Sequence, residues 1–212
     1  MSGPSLLLAL HSSSETFALA VQALTDDHPA QVASFPLGRR LSNELLACVE
    51  ELLPADQWRR IGRLVVATGP GGFTGTRLTV VFARTLAQQL AIPLHGYSSF
   101  LLMAHRLAAP GQVMAEVPRF WLTQELPRRG VVAGCYGPAA PGGLGELAEL
   151  EPPRLFRAGD GLPAEPRQPA VVDPEADALQ LLQLGQRAAA AQLPGPWQPV
   201  LPLYPTSPVD GL

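Results

Sequence analysis

The chain contains no lysine. All 15 basic residues are arginine, which excludes a lysine Schiff base, a lysine general base and the phosphate lysine of a Walker-A loop. Cysteine is almost as scarce. Cys48 and Cys135 stand far apart and make neither a disulfide framework nor a metal knuckle; a reducing, cytoplasmic setting is expected. Charged residues are only 16% against 47% hydrophobic, and the net charge is −3. Such a balance speaks against a protein that grips nucleic acid by itself, and against global disorder. Long apolar runs are missing too. Met1–Ser5 has no basic lead, and Leu6–Leu10 falls far short of the roughly 20 residues of a spanning helix, so no targeting or membrane segment is expected. The 212 residues fit one large domain or two of about 100.

What is present alternates in period. Leu6–Leu10 reads as a buried strand, His11-Ser12-Ser13-Ser14-Glu15 as a polar turn, Phe17–Leu24 as a second strand antiparallel to the first, and Gln31–Leu37 as a third. Leu41, Leu45, Leu46, Val49, Leu52 and Leu53 then fall on one helical face, with Ser42 as the expected N-cap and Pro54 as the stop. Leu64–Ala67 is a buried strand that runs into a loop with four glycines. A helix from Thr76 to Ala91, a strand from Ile92 to Tyr97 and a helix from Ser98 to Leu107, capped by Ser98 or Ser99, complete a βββαβαβα order. The order calls for a sheet with helices packed on it. In the second half, Phe120–Thr123 and Val131–Tyr136 are strand candidates. Gly137–Pro169 holds 13 Gly or Pro in 33 residues and reads as loops and short edge strands. Asp173-Pro174-Glu175 opens a helix to Gln192, and the proline-rich tail from Pro194 reads as extended. The expected division is a first lobe at 1–108 and a reduced, loop-rich second lobe at 109–212 with a helix at 174–192.

The glycine loop is the sharpest local feature. Glycine admits positive φ and close approach, and a helix N-terminus favours anions. The P-loop pattern would need Gly-Lys-Ser/Thr, whereas Gly75 is followed by Thr76-Arg77. The bland alternative is a tight turn that seats the helix. His11 ends the first strand, a place suited to chemistry in α/β sheets. His28, His95 and His105 show no ligand spacing. Asp26-Asp27 reads as a solvated turn. The clusters Arg39-Arg40, Arg59-Arg60-Arg63 and Arg128-Arg129 read as solvated faces rather than phosphate contacts. No Ser-His-Asp set, carboxylate pair, metal cluster or cofactor motif can be assembled, so no catalytic, cofactor-binding or metal residue is expected.

Four segments recur in a recognisable order: Asn43-Glu44-Leu45-Leu46; Gly69-Pro70-Gly71-Gly72-Phe73-Thr74-Gly75-Thr76-Arg77; the alanine-rich Ala83–Ala91; and Ile92-Pro93-Leu94-His95-Gly96-Tyr97-Ser98-Ser99. Together they resemble the TsaB (YeaZ) family, the dimerisation subunits of the bacterial machinery that places threonylcarbamoyl on the adenosine beside the tRNA anticodon. The second half matches in patches, at Arg128-Arg129-Gly130, Gly159-Asp160-Gly161 and Pro202-Leu203-Tyr204. The resemblance implies an actin-like, sugar-kinase-like α/β fold with two lobes of mixed sheet and helices. It implies a heterodimer with a TsaD-type transferase, a TsaE-type ATPase in the larger complex, a homodimer when alone, indirect contact with tRNA and none with a membrane. Two positions depart from the pattern. His11-Ser12-Ser13 replaces the usual Asp-Thr-Ser, and Asn43 replaces a histidine. The missing aspartate weakens any link to ATP chemistry.

In the family the helix near residues 42–53 and the helix after the glycine loop pack against the transferase as a helical bundle, so Leu41, Leu45, Leu46, Val49 and Leu52 are the expected partner face. The main expectation is thus a non-catalytic activator. Its rivals are an actin-like-fold phosphotransferase or peptidase using the glycine loop and His11, and a stand-alone RNA-binding module.

Overall fold

A computed structural model describes residues 6–24, 28–141, 143–161 and 166–205; Asp26-Asp27 and the end of the tail lie outside them. The first half folds in the expected order: β1 (Leu6–His11), β2 (Thr16–Ala23), β3 (Gln31–Pro36), α1 (Leu41–Leu52), β4 (Ile61–Ala67), α2 (Phe73–Leu90), β5 (Leu94–Tyr97) and α3 (Ser99–Leu107). These strands form one sheet in the order β3-β2-β1-β4-β5. β1 pairs antiparallel with β2 through the short turn, and parallel with β4. A second sheet holds β6 (Phe120–Leu126), β7 (Gly130–Pro138), β8 (Leu147–Phe156) and β9 (Arg167–Pro169), in the order β8-β7-β6-β9. The last helix is α4 (Pro174–Ala190).

Helix ends show where local chemistry governs. Asp173 caps α4 by accepting from the Ala176 amide, with Pro174 at the first position, and Ser98 caps α3 by accepting from Leu101. Ser42 is not a cap. A 3-10 turn at Gly38–Arg40 runs straight into α1, and Ser42 lies inside the helix with its hydroxyl turned to the Arg39 carbonyl. α2 begins at Phe73, three residues before the expected Thr76, with Gly72 as its N-cap.

Two expectations for the second half are corrected. Gly137–Pro169 contains a ten-residue edge strand, β8, where loops and only short edge strands were expected. Pro152 and Pro153 fit because pairing jumps from Ala133↔Arg154 to Cys135↔Glu151, which leaves them in a register shift on an edge strand. The lobe boundary is corrected as well. α4 packs on the first sheet, not in the second lobe: Ala178, Leu181, Leu182 and Leu184 join Leu7, Ala9, Val65, Ala67 and Leu102 in one buried cluster. The extended tail also returns, with Val200 in the first core and the Leu203 amide bonded to the Thr68 carbonyl.

The first sheet is thereby covered on both faces, as continuous apolar strands require. Leu8, Leu10, Leu64 and Val66 face α1 and α2 through Val49, Val80 and Ala83. A third cluster joins Phe100 and Met103 of α3 to Phe120, Leu122 and Tyr136 of the second sheet. Arg106 of α3 pairs at 3.3 Å with the buried Asp177 of α4. The close fit of α4 depends on Gly185, where an added Cβ would stand 2.8 Å from Val65 Cγ1 and 2.9 Å from Leu7 Cδ2. Gly185→Val should force α4 off the sheet and lower stability by about 1–3 kcal/mol, the usual scale of overpacking. Urea titration checks this, and an unchanged midpoint would contradict the packing described.

Candidate functional site

The glycine loop connects β4 to α2 through a cis peptide at Gly69-Pro70 and a positive φ of 98° at Gly69. It is wedged between chain segments. A Cβ at Gly71 would lie 2.3 Å from the Ser13 carbonyl oxygen and 2.5 Å from its Cα. At Gly75 it would meet the Ser12 carbonyl oxygen at 3.2 Å and Leu41 Cδ2 at 3.4 Å. The Gly72 amide donates to Ser13 (3.2 Å), and the Gly69 carbonyl accepts from the Ser99 amide (2.7 Å). The glycines therefore admit the β1–β2 turn, and the space a phosphate would need beside Gly71 is filled by Ser12 and Ser13.

The Ser98-Ser99 pair gathers several contacts at this point. Ser99 Oγ bonds Ser13 Oγ, and Ser98 Oγ bonds Glu149 of β8, whose Oε2 also accepts from Tyr136 Oη at 3.2 Å. Burial raises the Glu149 carboxyl above its ordinary value, and the hydrogen bonds from Ser98 and Tyr136 oppose that shift.

His11 does not join the loop. It continues the alternation of Leu7 and Ala9, which puts its side chain on the face covered by α3 and α4, while α2 lies on the other. It is fully buried, and neither ring nitrogen has a hydrogen-bond partner. Desolvation pushes it down from 6.5 to about 4, so it is neutral at pH 7. The pairing of His11 with the glycine loop, needed by the enzyme alternative, is thus not assembled. Among the described residues no group of three or more His, Cys, Asp or Glu could hold a metal ion. No helix among them is long and apolar enough to cross a membrane.

A cleft of about 910 Å³ does open beside the loop. Its walls include Ser13, Glu15, Arg39 and Ser42, with Leu41, Phe73, Leu78 and Val172 supplying apolar surface. The expected partner residues divide around it. Leu41, Leu45 and Val49 are 4%, 7% and 0% exposed and belong to the chain's own core, because the α1 stripe is used up by the sheet. Leu52 is half-buried against that core. Of the five, Leu46 points outward, at 54%. Sequence reasoning missed its companions: Val81 (52%) and Phe73 (40%) on α2, and Tyr204, whose ring lies 4.8 Å from Phe73. Arg77 sits 5.3 Å over the same Phe73 ring. The missed signal was the leftover apolar residue on a helix whose inner stripe is already complete. The arginine clusters do not act as units: Arg40 pairs with Glu44 at 3.1 Å, and Arg63 is buried apart from the exposed Arg59 and Arg60.

The family model described as TsaD, tRNA N6-adenosine threonylcarbamoyltransferase, matches residues 36–122. The tRNA threonylcarbamoyladenosine biosynthesis protein TsaB of Bacillus subtilis (strain 168) is 46% identical over 44 residues, which are 21% of this chain and 19% of that protein. The match thus spans about a fifth of the curated relative. Among solved structures, YeaZ from Pseudomonas aeruginosa superposes with a TM-score of 0.70 at 21% identity, over 94% of this chain and 99% of that one. A protein described as similar to peptidase YeaZ from Pseudomonas aeruginosa gives 0.70 and 21%, over 95% and 100%. The chain has the YeaZ (TsaB) fold along its length, the expected pair of mixed sheets with helices.

Two outcomes are expected. Gly71→Val drives a branched side chain into the Ser13 backbone and should cost about 2 kcal/mol or more, or abolish folding; a variant with an unshifted melting temperature would show that the loop is not wedged. The second concerns acid. The unfolded chain takes up a proton on His11 near pH 6.5, which the folded chain refuses until about pH 4. The stability held by neutral His11 is therefore complete above pH 6.5 and lost as pH falls toward 4, by roughly 3 kcal/mol. Asp177, raised to about 6 mainly by burial, acts in the opposite sense: its contribution is present below its ordinary 3.8 and lost as pH rises through 6. His11→Leu should flatten the fall of melting temperature between pH 6.5 and 4.5, and identical slopes would overturn the assignment.

Proposed function

We propose that this chain, with the YeaZ (TsaB) fold as premise, is the non-catalytic subunit that pairs with a TsaD-type transferase and activates it for threonylcarbamoylation of the adenosine beside the tRNA anticodon. The observation that carries the reading is the apolar surface left on the outer faces of α1 and α2. Leu46 and Val81 are exposed there and Phe73 lines the open cleft, although the inner stripes of both helices are already buried. Large apolar side chains at the rim of a cleft fit a protein partner better than a phosphorylated ligand. The pairing is a heterodimer in the cytoplasm, a TsaE-type ATPase joins the larger complex, and tRNA is met through the transferase. When the partner is absent, the same face supports a homodimer.

The chemical side agrees. Ser13 presses against Gly71 and Ser12 against Gly75, His11 is neutral and sealed, and no lysine exists to meet a phosphate. Chemistry therefore resides in the transferase, and this chain acts by favouring the transferase's competent conformation.

Leu46→Asp and Val81→Asp should each abolish co-purification with the transferase and lower its modification of tRNA to the level seen without this subunit. Both positions are exposed, so the melting temperature should change little. Leu45→Asp and Val49→Asp should instead unfold the chain, since a charge would enter its core. Modification at full rate without this subunit defeats the activator role. Modification by this chain without any transferase defeats the non-catalytic one.

A further inference from the structure

A basic cavity lies at the end of the first sheet away from the glycine loop. It opens between the start of β4 and the last turns of α4, has a volume of about 590 Å³, and is lined by Gly62, Arg63, Gln186 and Arg187 with Leu24 and two alanines. Among the described residues no carboxylate lines it.

Arg63 owes its place to a bulge. Leu6 pairs with Ile61 and Leu7 with Arg63, so Gly62 is an extra residue in β4. In regular alternation Ile61 and Arg63 would share a face. Instead Ile61 enters the core under α1 and α2, while Arg63 is two residues before Val65 of the α3–α4 face. Bulges often re-aim a side chain in this way. The result is an arginine only 8% exposed, held by a hydrogen bond from Nη1 to His95 Nε2 and another to the Leu193 carbonyl at 3.1 Å. Both use Nη1. Nε and Nη2 have no partner among the described residues, and neither is sealed from solvent. A guanidinium carries five N–H donors in a rigid plane, so a fixed, fork-shaped donor set remains available. Arg187 also lines the cavity and is exposed, its guanidinium lying against Gly145 and near His105, with no ion-pair partner among the described residues.

We propose that Arg63 and Arg187 form a binding site for a phosphate monoester, with Arg63 as the buried fork and Arg187 as the second charge. Two guanidiniums with no carboxylate beside them among the described residues match a dianion, and charge-assisted bidentate bonds are the strong ones. Arg63 lies at the floor of a cavity, within reach of a terminal phosphate but not of a duplex or single-stranded backbone passing along the surface. The proposal is independent of the partner face on α1 and α2.

Titration with inorganic phosphate at constant ionic strength, followed by calorimetry and melting temperature, tests the site. Saturable binding with a raised melting temperature is expected, with sodium chloride at equal ionic strength giving neither. Glycerol 3-phosphate should compete, and an oligoribonucleotide with a 5′-hydroxyl, which carries only diesters, should not. Arg187→Gln, at an exposed position, should fold normally and weaken phosphate about tenfold, the loss of one charge-assisted contact. Arg154→Gln, elsewhere on the surface, should leave affinity unchanged. Arg63→Gln should abolish binding; if it does not fold, Arg187→Gln still decides. Unsaturable binding, equal affinity in Arg187→Gln, or an effect reproduced by chloride overturns the site. Competition by the 5′-hydroxyl oligoribonucleotide overturns the monoester assignment.

Discussion

Everything in this molecule follows from a sheet whose central strands are apolar on both sides. β1 and β4 place Leu8, Leu10, Leu64 and Val66 on one face and Leu7, Ala9, Val65 and Ala67 on the other. Burying only one face would leave the second row in water, at about 25 cal/mol per Å² of exposed apolar surface. α1 and α2 cover the first face. On the second, α3 contributes Leu102 and α4 contributes a whole row of side chains. The chain must therefore leave, build the four-stranded second sheet, and return. The second lobe is an insertion between two helices of one layer rather than a sequel to the first.

That constraint explains what could be read from the sequence and what could not. The βββαβαβα order was legible because each element announces itself locally, by an apolar run, a 3.6-residue stripe or a cap. Asp173-Pro174 was enough to start α4 at the right residue. Where α4 packs was not legible, because nothing in Leu181 or Leu184 says which sheet they serve. β8 was hidden by composition: Pro152 and Pro153 weaken a strand reading until it is known that the strand lies at an edge and that the register shifts there.

The candidate site was half legible for a similar reason. The glycine loop was visible, and its tight-turn reading agrees with Gly71 against Ser13. The row on α1 was expected to face a partner, whereas Leu41, Leu45 and Val49 face the chain's own core. Periodicity identifies a stripe but does not say what lies opposite. Arg63 was grouped with Arg59 and Arg60 by adjacency. Its position inside the strand Ile61–Ala67, among apolar neighbours, was the signal that it is a buried residue of a different kind.

The two serines at the start of α3 bear on how stiff the molecule is. Ser98 caps the helix and at the same time holds Glu149 of the second sheet, while Ser99 ties the helix to Ser13 and, through its amide, to the Gly69 carbonyl. A rotation of one sheet against the other would strain the bond from the capping serine to Glu149. In folds of two lobes, a cleft between them is commonly a place of hinge motion. Here the Ser98 hydroxyl spans that junction, so the residue that starts α3 is also the one that holds the second sheet.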